Sequence, residues 1–240
     1  MLGRRIWLPA DLSHPRLDGW QIQNGAWGKG FTHGLDIWVE SLNRRLPGDS
    51  TTGLCIYAGN DAHGNLNRFR QVKRPMLRLW ETGRNLFGKV TTRALARSPA
   101  KQREVLEALR NGRAAISDGP ALDLSLVKDG RIFSVGSTVD SGAEYKLLVR
   151  YRSTPEFGSV EHIDILTSHR GREKPLRRFD RETLPHPFAG EFTFSATGEL
   201  YFRAELVVKA ASGEAHRCLT NPIRMKKPEV APSYQRGDIK

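Results

Sequence analysis

A chain of 240 residues is long enough for one large domain or two ordinary ones, and 38% hydrophobic content with five Trp and ten Phe supplies a core. Its formal net charge of +12, with no apolar run near the ~20 residues of a membrane span, argues against a membrane-spanning chain and for anionic partners. Two cysteines, Cys55 and Cys218, exclude a disulfide framework; both lie in apolar runs, read as buried thiols, and suit a cytoplasmic protein. The first residues hold no hydrophobic region of signal-peptide length.

Residues 1–20 are broken by Pro9, Pro15 and Gly19. Trp20–Gln23 reads as a short strand ended by the turn pair Asn24-Gly25. Leu35, Trp38, Val39 and Leu42 recur at helical spacing and predict a helix over 35–43, closed by Leu46-Pro47-Gly48. A strand follows over 54–58, so the opening reads as strand, helix, strand. That strand ends in Gly59-Asn60-Asp61-Ala62-His63-Gly64. If the extended geometry continues, Asp61 and His63 share a face, and a carboxylate beside an imidazole at a strand's carboxyl end suits a divalent metal.

A basic connection fills 65–93. Ser98-Pro99 predicts a helix start, with Val105, Leu106 and Leu109 as its apolar side and Asn111-Gly112 as its stop. Beyond residue 121 the period becomes two: Leu122, Leu124 and Leu126; Tyr145, Leu147, Val149 and Tyr151; His162 and Asp164; Phe192 and Phe194; Tyr201, Arg203, Glu205 and Val207. Turn pairs such as Asp129-Gly130, Ser141-Gly142 and Ser212-Gly213 separate these runs, predicting six to eight short strands in an antiparallel, Ig-like β-sandwich. The tail from Lys226 is polar, contains Pro228 and Pro232, and reads as disordered.

Charge is concentrated. Between Arg68 and Arg113 stand thirteen basic residues against Glu81, Glu104 and Glu107, so this stretch holds ten of the twelve net charges. Such a patch suits a phosphate-rich or otherwise anionic partner. Nucleic acid is disfavoured, because only Trp80 and Phe87 offer stacking surfaces within it. Arg68 and Arg70, just after the Asp-His turn, are candidates for contacting phosphate or carboxylate.

Four pieces in order resemble the PHP (polymerase and histidinol phosphatase) metallohydrolases, in the bacterial subgroup with a β-sandwich after the catalytic barrel. They are Trp20–Gly25, Ala58–Gly64, Glu107–Pro120 and Leu219–Ile223. The resemblance implies an α+β chain: a partial, truncated PHP-type α/β barrel remnant over 1–115, a sandwich over 116–225 and a tail over 226–240. It further implies that Asp61 and His63 are metal ligands for zinc, manganese or iron, that Asn60, at the place of a Ser beside the ligands, joins Arg68 and Arg70 as a substrate contact, and that the substrate is an anionic phosphoester. The chain departs from the pattern in having no His-x-His pair and only His14 and His33 upstream of His63. The resemblance therefore implies a fragment or degenerate phosphoesterase, inactive alone because most metal ligands are absent, which would associate with itself or with a separate barrel half. The alternative is a non-catalytic module whose sandwich or basic segment binds a protein or an anionic partner.

Overall fold

Alternation of apolar and polar residues builds most of this molecule, because side chains two apart share one face of a strand. The computed structural model describes residues 17–25, 27–44, 55–60, 88–97, 99–197 and 200–226. The tail expected to be disordered lies outside them, apart from Lys226.

The chain opens with β1 (Gly19–Asn24), α1 (Lys29–Arg44) and β2 (Cys55–Gly59), and β1 and β2 pair in parallel. Helix α1 starts six residues earlier than its Leu-Trp-Val-Leu spacing predicts. Thr32 N–H already donates to Gly28 O, and Trp27 packs edge-on against Phe31. Phe31, Trp38 and Leu42 form its buried stripe. Next come β3 (Thr91–Ala94), α2 (Gln102–Arg110) and β4 (Ala114–Ser117). Helix α2 begins after Lys101, whose N–H donates to the Glu104 carboxylate, rather than at Ser98-Pro99.

Ten strands follow: β5 (Ala121–Lys128), β6 (Arg131–Ser134), β7 (Thr138–Asp140), β8 (Tyr145–Arg152), β9 (Ser159–His169), β10 (Arg172–Asp180), β11 (Ala189–Ala196), β12 (Tyr201–Lys209), β13 (Ala215–Thr220) and β14 (Ile223–Lys226). An eight-stranded sheet runs β10-β9-β12-β13-β4-β3, with β14 bridging β12 and β7; a four-stranded sheet runs β11-β8-β5-β6. The two enclose one core, in which Leu122, Leu124, Leu147 and Val149 of the smaller sheet meet Ile163, Ile165, Phe202 and Leu206 of the larger.

The expected α/β barrel remnant is not what the first half forms. Of the described residues 53% are strand and 17% helix, in two α-helices and several antiparallel sheets, with no barrel. After α2 the chain does not return parallel beside β2. Instead β4 pairs antiparallel with β3 and with β13, and so joins the larger sheet. Side chains tie the outer edge of β2: Thr92 Oγ1 accepts Ala58 N–H at 2.8 Å and donates to Ala58 O at 3.0 Å. Asn221 accepts Ile56 N–H at 2.7 Å and donates to Ile56 O at 3.2 Å. Two side chains thus do for β2 what a neighbouring strand's backbone would do.

Helix α1 docks on the outer face of the larger sheet through Phe31, Trp38 and Leu42, which pack with Ile116, Tyr201 and Leu219, and Trp38 covers a buried ionic network. Arg203 on β12 is almost wholly buried and donates to both carboxylate oxygens of Glu173, at 2.6 and 2.5 Å, and to Glu205 at 2.5 Å. Its guanidinium lies over the Trp38 ring, 5.4 Å from the centroid. Burial opposes the Arg203 charge, but the carboxylates of Glu205 and Glu173 outweigh it and hold the group above its ordinary range. Burial and the Glu173 charge likewise push the Tyr201 phenol up, while its O–H donates to Glu173 at 2.9 Å.

Candidate functional site

Asp61, His63, Arg68 and Arg70 lie outside the described residues. Asn60 directly follows β2, at the end where Gly25 N–H donates to Gly59 O and brings the carboxyl ends of β1 and β2 together. Near this end Gln23 is fully buried, and neither its amide nitrogen nor its side-chain oxygen has a partner among the described residues. Gln23 and Asn60 are neutral amides, whereas zinc, manganese and iron sites need imidazoles, thiolates or carboxylates. Among the described residues no three His, Cys, Asp or Glu side chains come together as a metal site. The described residues therefore do not by themselves make up a metal centre.

What the described residues do form is a cleft of about 230 Å³ where the two sheets meet. Its origin is a mismatch in strand cover. Strand β6 pairs with β5 only from Ser125 onward, so residues 121–124 lie on the uncovered edge of the smaller sheet. The turn Asp118–Pro120 carries the chain from β4 in one sheet to β5 in the other, and the cleft opens beside it. Leu122, Val135 and Cys218 lie beneath, all buried. Burial pushes the Cys218 thiol up to about 12, so it stays protonated and is no nucleophile at neutral pH.

The rim is charged. Arg93 on β3 donates to Pro120 O at 3.1 Å and Gly119 O at 2.7 Å, so its position is fixed by the turn. Arg150 on β8 donates to Glu191 at 2.5 Å and stands 3.7 Å from Asp123 Oδ2. Arg152 lines the same cleft, and its side chain makes no hydrogen bond or ion pair among the described residues. The Asp123 carboxylate takes a backbone hydrogen bond from Leu124 N–H, and its Oδ1 is buried with no side-chain partner among the described residues. Burial raises the Asp123 carboxyl pKa, against the opposing pull of Arg150.

Beside the cleft, Asp118 is pinned from three sides. Its Oδ2 accepts Trp27 Nε1–H at 2.7 Å and lies 3.2 Å from His216 Nδ1, and its Oδ1 accepts Arg217 N–H at 2.7 Å. In the sequence Asp118 looks like any turn residue and His216 like the alternation of any strand, so neither points to the cleft. Arg150 and Arg152 were detectable in principle as the polar phase of the Tyr145–Tyr151 alternation, but nothing local in the sequence brings Arg93 to them. Of the basic run 68–113, Arg93 alone among the described residues reaches the cleft. Lys89 and Arg103 instead pair with Glu214 and Glu107.

No protein-family model matches the chain, and no curated protein matches it. Among solved structures it is similar to the X-ray structure of Northeast Structural Genomics Consortium target SoR45. The two are 12% identical, the match covers 47% of this chain and 89% of the other, and the TM-score is 0.25. A likeness at that level carries no argument about fold or activity. Among the described residues no helix is long and apolar enough to cross a membrane.

Proposed function

We propose that the chain acts as a binding module whose cleft takes a small amphipathic anion, a carboxylate or phosphate on a short apolar body. The observation that carries this reading is Arg152, whose side chain has no partner among the described residues, in the lining of a slot backed by Leu122 and Val135. Arg93, held in place by two carbonyls, offers further N–H donors beside it. An apolar slot with a few convergent polar groups is the usual form of a small-ligand site. Titration calorimetry of the full chain with hexanoate and phenyl phosphate tests it. Binding should weaken about tenfold or more in Arg152→Ala, the worth of a charge-assisted hydrogen bond. An affinity unchanged by Arg152→Ala, or no binding at millimolar ligand, would remove the reading.

A second reading keeps metal-dependent phosphoester hydrolysis at Asp61 and His63. It is supported by the parallel β1–β2 pair, which ends next to Asn60, since the carboxyl ends of parallel strands are where α/β units place ligands. Metal content of the purified chain, compared with Asp61→Ala and His63→Ala, decides it: equal metal in all three proteins sinks the assignment. We also place the chain in the cytoplasm, supported by Cys55 and Cys218, two buried thiols of the kind kept reduced there.

A further inference from the structure

In the two sandwich sheets the strands with a partner on one side only are β10, β7 and β3 of the larger and β11 and β6 of the smaller. Such an edge offers unpaired N–H and C=O groups, and natural proteins blunt it with short length, proline, bulges or cations. Strands β3, β6 and β7 have only four, four and three residues. Strand β10 carries Pro175, a register shift beside it, and Arg172, Lys174, Arg177 and Arg178. Strand β11 has none of these defences: it runs eight residues against β8 without a register shift and holds no proline, lysine or arginine. We propose that β11 is a docking edge, on which an extended acidic segment of another protein adds as a further strand.

The phase of the ladder tells which backbone groups are free. Ser153 N–H donates to Phe188 O at 2.6 Å, so in the next pair, Arg152 with Ala189, the N–H and C=O groups point away from each other. Alternation then turns the backbone of Ala189, Glu191, Thr193 and Ser195 away from β8. All four residues are exposed, and those backbone groups have no partner among the described residues. Phe192 and Phe194, on the other face, pack against the core and keep the strand in place. A strand laid along this edge gains a row of main-chain hydrogen bonds, and its alternate side chains are read by what stands beside them.

Charge selects the occupant. Lys146 pairs with Ser195 across the β8–β11 ladder; it is exposed and makes no ion pair among the described residues. Ser195 is short, so nothing bulky stands between Lys146 and a carboxylate placed opposite Ser195 on an added strand. On the inner face the guanidinium of Arg177 lies over the Phe194 ring, 5.5 Å from its centroid, and is likewise exposed without an ion pair among the described residues. The carboxylate of the edge itself, Glu191, is held by Arg150 at 2.5 Å. Cations therefore flank both faces of β11 and favour an acidic strand. A second copy is the poorer occupant, since each chain carries a net charge of +12.

The test measures fluorescence anisotropy of two labelled, capped peptides, EVTVTVE and KVTVTVK, with the full chain; both are palindromes and can pair in either direction. The wild type should bind EVTVTVE about tenfold tighter than KVTVTVK at low salt, with the gap narrowing as salt rises. Lys146→Glu should shrink that preference. Thr193→Pro removes an N–H that points away from β8, so the sheet keeps its ladder while peptide binding is lost, with amide NMR spectra confirming the fold. N-methylation of both threonines of EVTVTVE should abolish its binding to the unaltered protein. Equal binding of the two peptides, binding that survives Thr193→Pro or the N-methylation, or no binding at millimolar peptide overturns the inference. So does a wild-type dimer that Thr193→Pro dissolves, which assigns the edge to a second copy.

Discussion

The indole N–H of Trp27 donates to Oδ2 of Asp118 at 2.7 Å, joining residues 91 apart in sequence. Trp27 stands just before helix α1, and Asp118 in the turn between the two sheets. The contact therefore fastens the helical layer to the point where the sandwich changes sheets. Replacing Trp27 by Phe keeps the ring against Phe31 and removes the donor, leaving a buried carboxylate one hydrogen bond short. The expected loss is about 1–3 kcal/mol. Urea unfolding of Trp27→Phe should show a lowered midpoint at unchanged slope; a loss below ~0.5 kcal/mol would mean that water replaces the indole at little cost.

Arg203 offers a sharper contrast. Substitution Arg203→Met leaves Glu173 and Glu205 close together without their cation, and breaking a buried pair in this way costs about 3–5 kcal/mol. Adding Glu173→Gln and Glu205→Gln should recover most of that loss, because the neutral amide at 173 still accepts the Tyr201 hydroxyl. If the triple variant is no more stable than Arg203→Met, packing of the guanidinium on Trp38 and not its charge dominates.

Gly112 follows α2 with φ +69°, and a Cβ built on it would stand 2.5 Å from Cys55 Sγ. Gly112→Ala should therefore destabilise by about 1–3 kcal/mol from backbone strain alone, with the clash added. The two parts separate in a double-mutant cycle: in a Cys55→Ala background the clash disappears and Gly112→Ala should cost less. Purely additive costs would mean that the turn shifts away from β2.

The Cys218 thiol is raised to about 12 by burial and should resist iodoacetamide in the native protein at pH 8, reacting only on unfolding. A thiol whose folded pKa lies above its unfolded value adds stability at low pH and loses it as pH rises. For Cys218 that loss should fall between its ordinary 9.0 and about 12, and should disappear in Cys218→Ala. Native-state alkylation as fast as in the unfolded chain would contradict the burial.

Much of the sandwich was legible because a period of two is a local property: the runs Leu122–Leu126, Tyr145–Tyr151 and Tyr201–Val207 fall on β5, β8 and β12. Strand, helix, strand was legible at the start for the same reason. The barrel was inferred from ordered motif likeness, and what overturned it was non-local. The pairing of β4 with β13, and the capping of β2 by Thr92 and Asn221, bring together residues that no spacing rule connects. Arg203 was read as one more polar residue of an alternating strand, since its burial depends on a helix placed far earlier in the chain. The cleft was illegible because its rim comes from β3, β5 and β8, and its existence depends on how short the β6 pairing is.

The side chain of Asn221 holds Ile56 across 165 residues, and that distance is also a delay. A ribosome adding about 5–20 residues per second needs roughly 8–33 s to make the intervening chain. Thr92 reaches Ala58 early, but Ile56 on the nascent β2 waits out that whole interval for its partner.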